Sequence, residues 1–408
     1  MSVETAADPP TLGGEADPEV LATVVAAESV LSRRFGAKIK LSDPHNLGGS
    51  ERSVVLRVRV ATSPFSLPRT LVLKRYLEPL DQHCDSFVRE AASYQLFTAL
   101  ASEDRMCPEL FAHGADSRLV VLEDLGGAPT LADKLLGNDA RGAERALLSW
   151  SRSLGRLHAT TAGREADFDA LERRLTVPDF KDPLAVDGAA ALAELPALLE
   201  AELGLPTPAE AMEHAGHSRR MLETGRHRAF SPSDSCPDNN LITSRGVRFL
   251  DFEGGCVRNA IFDAAYLRVP FPSCWCPFAL PAGMTDAMLA GWRAEVKAVW
   301  PDLDDDSVLL PRLLDAQLFW VWLTTWQFFT RPEAAQSHST SLADTPPDTL
   351  VLTDRWRRLA EAAEAAGSNG SSGLNGVAAV AEHAVKVSEA LRARFGHEEP
   401  LPLYPAFR

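Results

Sequence analysis

Apolar residues recur at helical spacing across Pro18–Phe35, where Val20, Leu21, Val24, Val25, Val30 and Leu31 predict an N-terminal helix. The period then changes. Ile39–Leu41, Ser53–Val60 with Val and Leu alternating against Arg, and Arg69–Tyr76 carry strand signals. Between the first two, Asn46-Leu-Gly-Gly-Ser50-Glu51 is a turn-forming loop feeding a strand. Helical spacing returns over Asp85–Leu100 through Phe87, Ala91, Tyr94 and Phe97, and Glu109–Ala112 and Leu119–Leu122 complete five strands. The order β-β-β-α-β-β predicts a mixed sheet with one helix packed on it.

Glu123-Asp-Leu-Gly-Gly127 interrupts this pattern, and the chain beyond it is mainly helical. The periodicity predicts helices over Thr130–Leu136, Ala140–Thr161, Ala189–Leu203, Ala209–Thr224, Thr285–Val299, Asp306–Phe329, Leu350–Ala366 and Val377–Phe395. The only strand pair expected there flanks Gly246. The class is α+β, divided as a tail (1–17), a first lobe (18–122), a hinge (123–127), a helical lobe (128–366), a flexible linker (367–376) and a last helix with an extended tail (377–408). Leu318–Phe329 is the most apolar run, but a spanning helix needs about 20 residues, so it predicts a buried helix. Helix spacing places Phe319, Trp322 and Trp326 on one face, which most simply means core.

Composition narrows the classes. With 41 basic and 56 acidic residues among 408, the formal charge is −15, which disfavours broad nucleic-acid or anionic-membrane binding. Met1–Pro10 lacks the basic and apolar regions of a secretory signal, so a cytoplasmic protein is expected. Its six cysteines fall into no CxxC or zinc-like spacing and are expected as free thiols, Cys274-Trp-Cys276 being packed by default.

The densest chemistry lies in residues 230–254. Asp234 is followed five positions later by Asn239, then by a tight turn at Gly246 and an apolar strand ending in Asp251. Asp234 can accept a proton from a hydroxyl, and the Asn239 amide oxygen and Asp251 carboxylate can hold Mg²⁺, which are the parts of a phosphoryl-transfer site. Lys74 ends the strand Leu71-Val-Leu-Lys74 on the face opposite Leu71 and Leu73, and Glu90 lies early in the next helix. Taken singly, Lys74 is an edge-strand solubiliser and Glu90 a surface charge. Their order relative to Asp234, Asn239 and Asp251 favours a shared site.

Here the chain resembles the aminoglycoside phosphotransferase/choline kinase family, relatives of the protein kinases, from about residue 40 to 270 and more loosely to 366. Ser231-Pro-Ser-Asp234-Ser-Cys-Pro-Asp-Asn239 is similar to the family's His-Gly-Asp followed five residues later by Asn. The resemblance implies a bilobal protein-kinase-like fold with a five-stranded first lobe and a mostly helical second, using ATP and Mg²⁺. It implies Asp234 as the catalytic residue, Asn239 and Asp251 as metal ligands, and Lys74 braced by Glu90 on the nucleotide phosphates. Leu122-Glu-Asp-Leu125 matches the family's hinge, so adenine is expected on the backbone of Glu123 and Leu125. Asp263 and His158 (in Leu154-Gly-Arg-Leu-His158) are expected to be structural.

One feature departs from the family: Pro232-Ser233 replaces His-Gly before Asp234. Leu47-Gly-Gly-Ser-Glu-Arg52 lacks the GxGxxG spacing of protein kinases, as the family's short loop often does, leaving Ser50 and nearby amides as phosphate contacts. The acceptor pocket is expected from residues 270–281 and 313–329, where Glu253, Asp263 and Asp315 can attract an amino sugar. Three functions follow: a phosphotransferase for a hydroxyl-bearing small molecule, a Ser/Thr kinase for a precursor peptide in natural-product biosynthesis, or a catalytically silent kinase-fold binding protein.

Overall fold

A computed structural model describes residues 17–50, 52–77, 85–175, 182–269, 271–272, 274, 276–331, 345–368 and 376–408. The tail of residues 1–16 and most of the glycine-rich linker lie outside the described residues. The chain forms two compact units, Met1–Glu78 with Leu110–Asp124, and Pro79–Glu109 with Leu125–Arg408.

In the first unit, helix α1 (Pro18–Phe35) starts where Asp17 caps the amide of Glu19 at 2.9 Å, and it stops at Gly36 in the left-handed conformation. Strands β1 (Lys40–Ser50), β2 (Ser53–Thr62), β3 (Thr70–Tyr76), β4 (Leu110–Gly114) and β5 (Leu119–Glu123) form one sheet in the order β1-β2-β3-β5-β4. Ala27, Val30 and Leu31 of α1 pack on Leu56, Val58, Leu71, Leu73, Leu119 and Val121. Each large side chain buried this way contributes about 1.5–3 kcal/mol.

Two expectations are corrected here. The sheet is antiparallel throughout rather than mixed, because β5 and not β4 pairs with β3. The segment from Asn46 to Ser50, taken as a turn-forming loop, belongs to the bulged half of β1. Three irregularities interrupt the register of that strand, and Gly49 at φ 140° lets the backbone approach Ser53 where no Cβ would fit.

The second unit begins with α2 (Ser86–Thr98), capped by Asp85, which packs on α5 (Glu165–Leu175). Between them lie α3 (Leu131–Leu136), opened by a reciprocal capping box of Thr130 and Asp133, and α4 (Ala140–Thr161). Then come α6 (Pro183–Leu203) and α7 (Ala209–Glu223). α6 starts six positions before the expected Ala189, with Asp182 as cap and Pro183 in its first turn. Gly188 faces the ring of Phe319 where a Cβ would collide.

Four short strands follow, β6 (Arg228–Ser231), β7 (Asn240–Thr243), β8 (Gly246–Phe249) and β9 (Cys256–Asn259). β7 and β8 are the expected hairpin. The β6–β9 ribbon, pairing Arg228 with Asn259 and Ser231 with Cys256, was not expected, because four-residue strands carrying Arg show no alternation. The unit is completed by α8 (Ile261–Ala265), α9 (Met284–Val296), α10 (Asp306–Thr330), α11 (Asp348–Ser368) and α12 (Val377–Phe395). The final segment docks rather than trailing free. Tyr404, fully buried, donates to the Cys276 carbonyl at 2.8 Å, and Ala279 exchanges backbone bonds with Pro402 and Tyr404.

The cysteines also differ from expectation. Cys236 is disulfide-bonded to Cys274, while Cys107, Cys256 and Cys276 are buried and outside any disulfide. Cys276 Sγ lies 3.2 Å from Cys274 Sγ. Among the described residues no helix is long and apolar enough to cross a membrane.

Candidate active site

β6 delivers the chain to a tight loop at 231–240, and each residue there has a definable job. Ser231 is buried and donates its hydroxyl to Asp263 Oδ1 at 2.8 Å. Ser233 sits at φ 68°, a left-handed conformation usual for glycine, and its amide bonds back to Ser231 Oγ at 3.1 Å. Arg258 Nη2 donates to Ser233 Oγ at 2.8 Å and the Tyr266 hydroxyl to its carbonyl at 3.4 Å, which holds that conformation from two sides. The turn leaves Asp234 exposed, with Oδ1 accepting from the Cys236 amide at 3.1 Å.

A 3-10 turn over Pro237–Asn239 then brings Asn239 back to Asp234. The Asn239 amide nitrogen donates to Asp234 Oδ2 at 3.4 Å, and its backbone carbonyl accepts from Leu250 at 2.8 Å. That second bond sets Asn239 beside the strand end carrying Asp251. Asp251 is itself at φ 60°, which aspartate tolerates better than most residues. The buried neighbour Asn240, which sequence reasoning missed, ties the turn shut through the carbonyls of Ser235 and Cys236 at 3.3 and 2.6 Å. Thus Asp234, Asn239 and Asp251 converge on one hairpin.

Tyr94 of α2 connects this hairpin to Glu90. Its hydroxyl is raised well above the usual range by burial, then by the charges of Glu90, Cys107 and Asp251, against which a backbone bond at Asp251 works. Glu90 itself is 1% exposed, so it is no surface charge.

Behind the loop lies a buried, charged brace. Trp292 Nε1 donates to His158 Nδ1 at 2.9 Å, which leaves the proton on Nε2 to donate to Asp263 Oδ2 at 3.0 Å. Both His158 and Asp263 are therefore positioned by packing, in keeping with a structural role. Arg258 is equally buried. Desolvation opposes its charge, but Asp182, Cys256 and Asp263 hold its pKa above the ordinary value. Arg89 pairs with Glu172 at 2.6 Å and donates to the Gly255 carbonyl at 3.2 Å. Burial raises Glu172 to about 7 despite Arg89.

The remaining expected residues belong to the first unit or to its boundary. Lys74 is 7% exposed, is registered between Val55 of β2 and Val120 of β5, and holds its ammonium 5.0 Å from the Tyr76 ring. It faces away from the Leu71 and Leu73 side, as alternation required. Asp124, next to the expected hinge residue Glu123, makes a two-pronged ion pair with Arg57 at 2.8 and 3.0 Å. Ser50 closes β1 opposite Ser53. Leu125 opens the second unit.

The donor set at the hairpin fits a hard divalent cation. With its amide nitrogen on Asp234, Asn239 keeps its amide oxygen for a hard cation, and Asp251 adds a carboxylate, an all-oxygen pair that suits Mg²⁺. In the region expected to bind an acceptor, Phe319, Trp320, Trp322 and Trp326 are all buried, and Trp320 and Trp326 satisfy their indole N–H groups on the Phe262 carbonyl and Glu194. They form core, as their spacing suggested. Trp275 lies outside the described residues.

No protein-family model and no curated protein matches the chain. Among solved structures it is similar to choline kinase from Cryptosporidium parvum Iowa II, at 12% identity over 82% of this chain and 92% of that one, with a TM-score of 0.47. It is also similar to a choline/ethanolamine kinase family protein from Mesorhizobium loti, at 14% identity over 85% and 93%, with a TM-score of 0.41. A third is a thermostable mutant of an aminoglycoside phosphotransferase in complex with ADP and hygromycin B, at 15% identity over 77% and 95%, with a TM-score of 0.43.

Proposed function

We propose that this chain is an ATP- and Mg²⁺-dependent O-phosphotransferase of the protein-kinase-like type, moving a phosphoryl group to a hydroxyl of a small molecule. The observation that carries the reading is the turn in which the amide of half-buried Asn239 donates to exposed Asp234, tied through the Leu250 amide to the strand end that carries Asp251. Asn239 and Asp251 would hold Mg²⁺, with Lys74 and Glu90 assigned to the nucleotide phosphates, Ser50 to a phosphate contact, and the backbone of Glu123 and Leu125 to adenine. Bound, magnesium supplies charge neutralisation and ATP the transferable group.

The protein's own residues do the rest. Asp234 accepts the hydrogen bond of the acceptor hydroxyl, orients its oxygen and takes the proton as transfer completes. Its second oxygen stays on the Asn239 amide, which fixes the carboxylate plane. Ser231, Asp263 and His158 keep the loop from collapsing when the proton arrives. Nothing in the described residues favours a peptide acceptor. We place the protein in the cytoplasm, where reductants would set the state of Cys236 and Cys274.

Titration with ATP and Mg²⁺, followed by calorimetry and thermal shift on wild type and Asp251→Ala, tests the reading. Binding lost in the variant supports it and justifies a hydroxyl-compound screen for ADP release. No binding at millimolar nucleotide overturns it, and binding without transfer in the screen would identify a silent kinase fold.

A further inference from the structure

Away from the catalytic hairpin, α7 and α10 bring together three groups that the phosphotransfer chemistry does not use. His214 and His217 lie three positions apart on one face of α7, and Asp315 faces them from α10. His214 Nδ1 lies 2.7 Å from Asp315 Oδ1, and His217 Nδ1 lies 3.8 Å from Oδ2 of the same carboxylate. Each imidazole thus aims one nitrogen at a different oxygen of one buried carboxylate.

A hydrogen-bonded histidine–aspartate pair accounts for the first contact. It does not account for the second, since 3.8 Å is beyond hydrogen-bond reach.

We propose that His214, His217 and Asp315 form a binding site for a divalent transition-metal cation, zinc being the best match to two imidazoles and a carboxylate. The three ligand atoms lie within 4.8 Å of one another. Donor atoms on one tetrahedral zinc lie about 3.4 Å apart, so a rotation of His217 toward Asp315 completes the set. His217 has that freedom, with a side chain 40% exposed, and it opens the site to solvent. His214 and Asp315 are buried and supply the rigid half. The fourth position falls to water. Bound metal would clamp α7 to α10, whatever reaction the protein catalyses.

The test uses the full chain, stripped by chelation and titrated with Zn²⁺ alone and Co²⁺ alone, without nucleotide. One equivalent of Co²⁺ should bind with ligand-field bands and no thiolate charge-transfer band, and Zn²⁺ should raise Tm. His217→Ala, at a half-exposed position that leaves folding intact, should weaken binding at least about tenfold. Cys276→Ser should leave it unchanged. Absence of binding, equal binding by His217→Ala, or a thiolate band lost in Cys276→Ser would each overturn the proposal.

Discussion

Leu73 and Asp263 are equally hidden from water, at 0% and 2% exposure, yet they hold the chain by opposite means. Leu73 sits in the apolar layer between α1 and the sheet, where any well-shaped hydrocarbon would serve. Asp263 sits in a polar cluster in which each oxygen has one named donor, Ser231 on one side and His158 on the other. The first unit is stabilised by area removed from water, which tolerates exchange. The scaffold of the catalytic loop is stabilised by satisfied hydrogen bonds, which do not. Strain does not follow the same division, because Ser233 and Asp251 at the candidate site and Asp43 and Arg118 in the first unit all occupy left-handed backbone.

The sharpest break between fold and chemistry is expected at Asp234. Because it is exposed, Asp234→Ala should leave Tm almost unchanged while lowering phosphate transfer by about 10²–10⁴-fold. Equal losses of stability and activity would make it part of the scaffold instead. Next in size are two conservative swaps read by urea unfolding. Leu73→Met should cost less than about 1.5 kcal/mol, since volume is kept. Asp263→Asn turns an acceptor into a donor facing Ser231 or His158, and stranding that partner should cost about 1–3 kcal/mol. If the two swaps cost the same, the contrast between the units fails.

A smaller effect separates the two contributions at Ser233. Ser233→Ala loses the Arg258 bond and keeps the strained backbone, whereas Ser233→Gly loses the bond but relieves the strain. The glycine variant should therefore be the more stable by roughly 1 kcal/mol. Smallest is a pH effect at Glu172, whose carboxyl is raised to about 7 from 4.5. A raised folded pKa means the native state binds the extra proton, so its contribution is full below about 4.5 and lost as pH rises through about 7. Glu172→Gln should flatten the Tm profile across that window, and an unchanged slope would remove Glu172 from the account.

Much of this was legible in the chain because it depends on repetition or on spacing. The helices of α1, α4 and α10 and the β7–β8 hairpin follow from periodicity and a turn glycine. The grouping of Asp234, Asn239 and Asp251 follows from a loop too short to separate them. What escaped depends on contacts between distant segments. The β6–β9 ribbon is four residues a side, and its partners are 25 to 31 positions apart. Arg258 and Asn240 carry no local signature, since an arginine in a strand and an asparagine after a turn usually face water. The Cys236–Cys274 pairing spans 38 positions and obeys no spacing rule. The bulged half of β1 was hidden for the opposite reason, its loop-like composition outweighing its pairing.

The docked end of the chain has a kinetic consequence. Tyr404 covers the Cys276 carbonyl from 128 positions downstream. At synthesis rates of about 5–20 residues per second, that cover reaches the segment roughly 6–25 s after the segment itself is made. Through that interval Phe278, whose ring packs 5.2 Å from that of Tyr404, lacks its lid. The nascent chain therefore carries an uncapped aromatic surface through that interval.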